Sequence, residues 1–363
     1  MKRLIAGFLV LVVNSAYLAA SADATLLYFA NVALHVVLGL ALGAAFLLHS
    51  RRSGWPRGGL AASTTVVLLA ALLTGAALTV SGATHRWHFL LVTHIALATL
   101  GSLLLLARLT LALRHPGSAR ERHALGAGLA LAGTAVVVAA IAVATGRPQA
   151  ERNRRIANPA LPPLTMEFEG AGAASPFFPS SAETNVGGTI PADFFLTSES
   201  CGRCHKAIYE QWRSSAHHFS SFNNQWYRKS IEYMQDVVGT QPSKWCAGCH
   251  DHAVFFNGRF DRPMREQIHT PEAQAGLGCT SCHSIVHVKS TMGQGDFTIE
   301  YPPLHDLATS GKRVLEWAHD FLLRLDPQPH RQTFLKSFHQ KQAPEFCSTC
   351  HKMHLDVPVN TYR

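Results

Sequence analysis

Every cysteine in the chain belongs to a CxxC pair, and every pair is followed at once by histidine. The four are Cys201-Gly202-Arg203-Cys204-His205, Cys246-Ala247-Gly248-Cys249-His250, Cys279-Thr280-Ser281-Cys282-His283 and Cys347-Ser348-Thr349-Cys350-His351. Two thiols three positions apart can reach both vinyl groups of one haem, and the adjacent imidazole then swings beneath the iron as proximal ligand. At this chain's Cys and His frequencies, one such pentapeptide arises by chance in roughly one chain in a hundred. Four of them with no cysteine left over predict four covalently bound c-type haems.

Other chemistries use CxxC pairs. Two four-thiolate zinc sites would consume the same eight cysteines, but nothing in zinc chemistry asks for a histidine after each pair. Thioredoxin-like pairs need a βαβ context that the sequence lacks. Disulfides between residues three apart are strained and seldom repeated four times. Each iron also wants a sixth ligand, and ten further histidines follow residue 200. Imidazole on both faces suits electron transfer, whereas an open face suits substrate chemistry.

The elements that must position these groups divide into two halves. The chain is 47% hydrophobic and only 15% charged, which argues against a disordered chain or a simple soluble enzyme. Residues 1–150 hold 11 Lys/Arg and 2 Asp/Glu, whereas residues 151–363 hold 21 of each. The positive excess sits in the apolar half, where it reads as membrane topology; nucleic acid is not an expected partner. Apolar runs cover Leu4–Ala20, Leu26–Leu48, Leu60–Val80, Phe89–Leu113 and Ala124–Ala144. The last four are long enough to span a bilayer core of roughly 30 Å. The first has Lys2 and Arg3, a short apolar stretch, Asn14 and Ser15, and an Ala20-Ser21-Ala22 triplet. That layout fits either a signal peptide or a first transmembrane helix. Arg51, Arg52 and Arg57 in one loop, and Arg114, Arg120 and Arg122 in another, place those loops in the cytoplasm and the remainder of the chain in the periplasm.

Histidine within a membrane helix is costly and marks function. His35 and His49 are 14 residues apart on one run, about 40° apart around the helix and roughly 21 Å apart along it. The segment HVVLGLALGAAFLLH looks like the ligand helix of small di-haem cytochromes b. His94 lies at a depth similar to that of His35, so the two are expected to share a b-type haem or, alternatively, a quinone site. A second b haem near the inner face would need His49 with His115 or His123, at or beyond a helix end.

The stretches SESCGRCHKAIYEQWRSSAHHFSSF, CAGCHDHAVFFNGRF, GLGCTSCHSIVHV and PEFCSTCHKMHLDVPVN resemble the multihaem cytochrome c family that includes the tetrahaem cytochrome of ammonia oxidisers. The resemblance covers about residues 192–363. It implies a mostly helical, haem-packed fold that passes electrons between partners without turnover of its own. It also implies that His217 is a distal ligand, in the Trp212-x-x-Ser215-x-His217 arrangement. His287, His305 and His330 are further distal candidates, with His339 as a substitute for His330. Relatives commonly run on beyond such a last motif, whereas this chain has 12 residues after His351, so the native protein could be longer.

The expected fold is therefore mainly α: a transmembrane bundle of four or five helices, then a mostly helical and irregular domain packed around haem. Residues 1–24 would be a signal peptide or first helix, 25–146 the bundle, 147–191 a Pro/Ala/Gly/Ser-rich linker and 192–363 a periplasmic tetrahaem domain. Leu315–Leu325 and Ser200–Phe222 are the clearest helical stretches of the outer half. The expected function is transfer of electrons from the quinol pool of the inner membrane to a periplasmic cytochrome, a respiratory subunit or an outer acceptor. No catalytic residue is expected. A passive relay anchored to a partner membrane complex is one alternative, and a reductase of a small nitrogen or sulfur oxyanion is another.

Overall fold

The structure is a computed structural model that describes residues 2–56, 58–112, 118–302 and 304–352. Arg57, Arg114 and His115, three residues of the sequence argument, lie outside the described residues. Cα packing divides the chain into two units: residues 1–149 with 317–331, and residues 150–316 with 332–363.

The first unit holds five long helices: α1 (Lys2–Ala20), α2 (Leu26–Ser53), α3 (Gly59–Ser81), α4 (His88–Ala112) and α5 (Ala119–Asn153). All five are long and apolar enough to cross a membrane. At 1.5 Å per residue, the 23 residues of α3 extend about 34 Å, a full hydrocarbon thickness. Thr25 caps α2 by accepting the Tyr28 N–H at 3.2 Å, and Gly54 ends it. Many of the apolar side chains on these helices are exposed, among them Val37, Leu73, Val80 and Val137. A surface of that kind is consistent with helices that lie in lipid. Helix α5 continues past Pro148 to Asn153, beyond the expected start of the linker.

The second unit is built from short elements. Strand β1 (Glu183–Thr184) runs parallel to β3 (Phe297–Ile299), which pairs antiparallel with β2 (Ile285–Val288). The helices are α6 (Ser198–Gly202), α7 (Lys206–Arg213), α8 (Gln225–Val238), α9 (Thr240–His250), α10 (His252–Phe255), α11 (Cys279–His283) and α12 (His305–Ala308). They continue with α13 (Arg313–Leu325), α14 (Gln328–Phe334), α15 (Phe338–Lys341) and α16 (Ala343–His351); part of α13 and most of α14 group with the first unit. Helix α8 starts at Asn224, whose side chain accepts the Trp226 and Tyr227 N–H groups. The core of the unit is aromatic: Phe194, Phe195, Phe255, Phe256, Phe260, Phe297 and Phe338 are fully buried.

Two expectations are corrected. The stretch 200–222 is not one helix. It breaks after Arg213 because its backbone turns to the loop before the third motif, with Leu277 N–H donating to His217 O at 2.8 Å and Phe222 N–H to Ala273 O at 3.1 Å. Nor is the segment after residue 153 a bare tether. Ile156, Phe177, Ala182 and Ile190 are buried in the core, and the Phe177 ring lies 5.2 Å and 5.1 Å from those of Phe255 and Phe256. Its Pro- and Ser-rich composition reflects tight turns over the core.

Phe177→Ala is accordingly expected to cost about 3–5 kcal/mol in denaturant unfolding of the haem-loaded protein. A loss within about 0.5 kcal/mol, as for an ordinary surface position, would return the segment to linker status.

Candidate functional site

Each CxxCH motif lies on a turn of helix, which puts its two thiols on one face. The first begins on α6 and delivers His205 to the start of α7; the second and fourth end α9 and α16; the third is α11 itself. All eight thiols are free. They approach one another across motifs: Cys201 lies near Cys279, Cys249 near Cys350, and Cys282 near Cys347 and Cys350. The motifs are thus neighbours in the order first, third, fourth, second. Burial pushes the Cys246 thiol up to about 11 and the Cys282 thiol up to about 12. Among the described residues, no group of three or more His, Cys, Asp or Glu side chains is arranged to hold a bare metal ion.

The histidines fit iron ligation in two respects. A backbone carbonyl can only accept, so an imidazole nitrogen bonded to one must carry the proton, leaving the other nitrogen with its lone pair. His250 Nδ1–H donates to Ser220 O at 2.9 Å, and His283 Nδ1–H donates to Phe334 O at 2.7 Å. Both therefore present an unprotonated Nε2, and all four motif histidines are exposed. The second respect is pairing. Imidazoles on opposite sides of one metal ion, each bonded at roughly 2 Å, hold their ring centroids about 6 Å apart. The His217 and His351 centroids are 5.9 Å apart at 84°.

The other distal candidates are placed less favourably. His339, not His330, meets the third motif, with its centroid 5.2 Å from that of His283. Both its nitrogens are engaged, Nδ1 accepting from Lys336 N–H and Nε2 donating to Cys282 O, and burial lowers it to about 4. His330 lies on α14 in the segment that groups with the first unit. His287 is half-buried on β2 opposite Thr298. His305 packs on Phe194 at 4.8 Å. His252 is a core residue: it is 2% exposed, its Nε2–H donates to Gly248 O, and burial lowers it to about 4. His218 donates from Nδ1 to Arg213 O and lines a cleft of about 450 Å³ with Phe195, Ser198, Tyr209 and Trp212 beside the first motif.

Sequence reasoning missed the supports around the second motif. The Tyr227 ring stacks on His250 at 4.5 Å, and the hydroxyls of Tyr227 and Ser221 both donate to Asp251. Burial pushes that carboxyl up to about 7. The Trp212-x-x-Ser215-x-His217 segment is held by Trp212 Nε1–H donating to Leu277 O at 2.7 Å.

Within the first unit, the His35 and His94 rings lie 6.4 Å apart at 89°. His94 Nδ1–H donates to Ala71 O at 2.9 Å. Ser15 donates to Leu11 O at 2.7 Å and is free to accept from His35 Nδ1–H at 3.3 Å. Both rings thus also present Nε2. A Cβ at Gly75 would stand 2.8 Å from His94 Cε1, so this glycine makes room for the ring. Among the described residues no imidazole packs against His49, and His115 lies outside them.

Helical CxxCH motifs with exposed imidazoles are the pattern by which c-type cytochromes, proteins that transfer electrons, hold haem covalently. Residues 200–284, which contain the first three motifs, match the family of cytochrome c554 and c-prime; the fourth motif lies beyond the match. No curated protein and no solved structure matches the chain.

Gly276 tests how tightly the His217 loop is set. It has φ +63°, and an added Cβ would stand 2.0 Å from His218 O and 2.8 Å from His217 O. Gly187 has φ +67° with open space around it. Gly187→Ala should cost about 1–2 kcal/mol, the left-handed penalty alone. Gly276→Ala should cost clearly more and disturb the haem spectrum; equal losses in denaturant unfolding would mean that the loop gives way freely.

Proposed function

We propose that the chain is a membrane-anchored tetrahaem cytochrome c that takes electrons from the quinol pool through a b haem and delivers them to a periplasmic redox partner. The observation that carries it is the pairing of imidazoles at a metal-bridging distance in both units, His217 with His351 and His35 with His94. Bound haem supplies one-electron chemistry at iron.

The chain's own residues do the rest. Cys201, Cys204, Cys246, Cys249, Cys279, Cys282, Cys347 and Cys350 fix four porphyrins by covalent attachment. His205, His250, His283 and His351 are the proximal ligands, and His217 is the distal partner of His351. Ser220 O and Phe334 O hold the protons of His250 and His283 on Nδ1 and so keep Nε2 for iron. The order of neighbouring thiols supports a haem series with the first and second motifs at its two ends. His35 and His94 hold the b haem, with Ser15 and Ala71 O as positioning groups. The quinone itself and the terminal partner belong to this proposal as classes: a lipid-soluble two-electron donor, and a soluble or outer redox protein.

A pyridine haemochrome assay on detergent-purified protein tests it. The expected content is four c haems and one b haem per chain. His35→Ala and His94→Ala should each remove the b signal and leave all c haem in place. His217→Ala should convert one low-spin c haem to high spin, whereas His330→Ala should leave the spectrum unchanged. Fewer than four c haems would sink the tetrahaem assignment, and a wild-type protein without b haem would sink quinol entry through His35 and His94.

A further inference from the structure

Helix α13 half-buries Leu322 and Leu325 but leaves the rest of its apolar face uncovered. In an amphipathic surface helix the apolar stripe turns inward and the charged stripe outward. Along Arg313–Leu325, Val314, Trp317 and Phe321 recur at intervals of three and four and share one face, yet they are 74%, 65% and 39% exposed. Trp317 and Phe321 stack on each other, with centroids 5.3 Å apart and planes within 8°. Their polar neighbours Glu316, His319 and Asp320 are only half-exposed, and His319 pairs with Asp320 at 3.0 Å. Arg313 and Arg324 are exposed near the two ends of the helix.

The contacts of the same segment set its level. Arg324 O accepts the Ala83 N–H at 2.7 Å, and Asp326 accepts the Tyr28 hydroxyl at 2.5 Å. Ala83 lies two residues after the α3 span, and Tyr28 lies two residues inside the α2 span, at the ends that share one membrane face. The C-terminal end of α13 is therefore tied to the rim of the bundle where hydrocarbon gives way to headgroups. Tryptophan is favoured at that depth, and an apolar helix face is satisfied there by acyl chains while flanking arginines meet lipid phosphates.

We infer that α13 is an interfacial helix that seats Trp317 and Phe321 in the headgroup region of the bilayer, so that the chain grips the membrane by a sixth, non-spanning element. The inference rests on the membrane reading of α2 and α3 and on nothing in the haem assignments.

The test uses the full, haem-loaded chain in nanodiscs that contain a fluorescent phosphatidylglycerol, with a photo-crosslinking phenylalanine derivative in place of one residue at a time. Leu73, 71% exposed on the α3 span, is the positive control; Trp226, 77% exposed on α8, is the negative one. Replacement at Trp317 should give lipid adduct at a level near that of Leu73 and several-fold above that of Trp226. Lipid adduct no higher than at Trp226, or an adduct to a second copy of the chain, would overturn the inference. Absence of adduct at Leu73 would overturn it together with the spans on which it depends. A second measurement needs no probe: Trp317→Ser with Phe321→Ser should release the α13 region to protease in nanodiscs while haem content stays at the wild-type value. Unchanged protection would count against the seat.

Discussion

An imidazole can bind iron only through a nitrogen that carries no proton, and the rest of this structure depends on where those protons are kept. At His94, His250 and His283 a main-chain carbonyl takes the Nδ1 proton, and at His35 a serine hydroxyl does so. A carbonyl is a stricter partner than a side chain, because it cannot reverse its role. It also moves only with the backbone, so it orients the ring as well as fixing the tautomer. For His94 the carbonyl is that of Ala71, inside α3, whereas for His250 and His283 it comes from outside a complete helical ladder. Ser220 lies in the irregular stretch after α7, and Phe334 is the last residue of α14. The irregular backbone of the second unit therefore orients the His250 and His283 rings.

The same economy shapes the core. A domain that must leave its ligand rings exposed has fewer side chains with which to fill itself. Here the filling is done by phenylalanines, which bury large area with only two rotatable bonds. The cluster Phe177, Phe255 and Phe256 draws on residues almost 80 positions apart in sequence, and the short sheet joins Glu183–Thr184 to Phe297–Ile299. These closures bring the first and third motifs together, because Thr280 donates to Phe194 O at 3.1 Å and Cys279 N–H to the Ser198 hydroxyl at 3.2 Å.

What was legible in the sequence was whatever covalent chemistry and hydropathy fix locally. The CxxCH spacing holds within one helical turn, and the membrane runs need no partner to be recognised, so the mainly helical architecture with its apolar bundle emerged directly. What was not legible was set by tertiary contact. Nothing in the residues around His330 and His339 says that the second of them packs on His283; nine positions of chain separate them, and His330 groups with the first unit. Nothing in the sequence marks Asp251 as buried, yet it is 1% exposed and accepts from two hydroxyls 24 and 30 positions upstream. The segment 147–191 has the composition of a linker, and only packing reveals that Phe177 and Ile190 are core. Helix α13 shows the converse: its amphipathic pattern was visible, but periodicity does not say whether the apolar face looks in or out.

Helix α1 carries the sharpest case of one set of residues supporting two readings. Asn14 and Ser15 interrupt an apolar run, as polar residues do after the apolar core of a signal peptide. In the folded unit both side chains turn to α2. Asn14, 6% exposed, donates to the Asn31 side chain at 2.9 Å and its carbonyl at 3.3 Å, and Ser15 accepts from His35. Polar side chains at membrane depth are costly unless they find each other, and small polar residues between helices are a recognised means of fixing their register. Removal of α1 would leave Asn31 with one partner fewer and the His35 Nδ1 proton with no acceptor on that side. The free energy of that loss would fall on the pair of rings that the bundle brings to a metal-bridging distance. In the folded unit the polar break in α1 thus packs against α2 at Asn31 and His35.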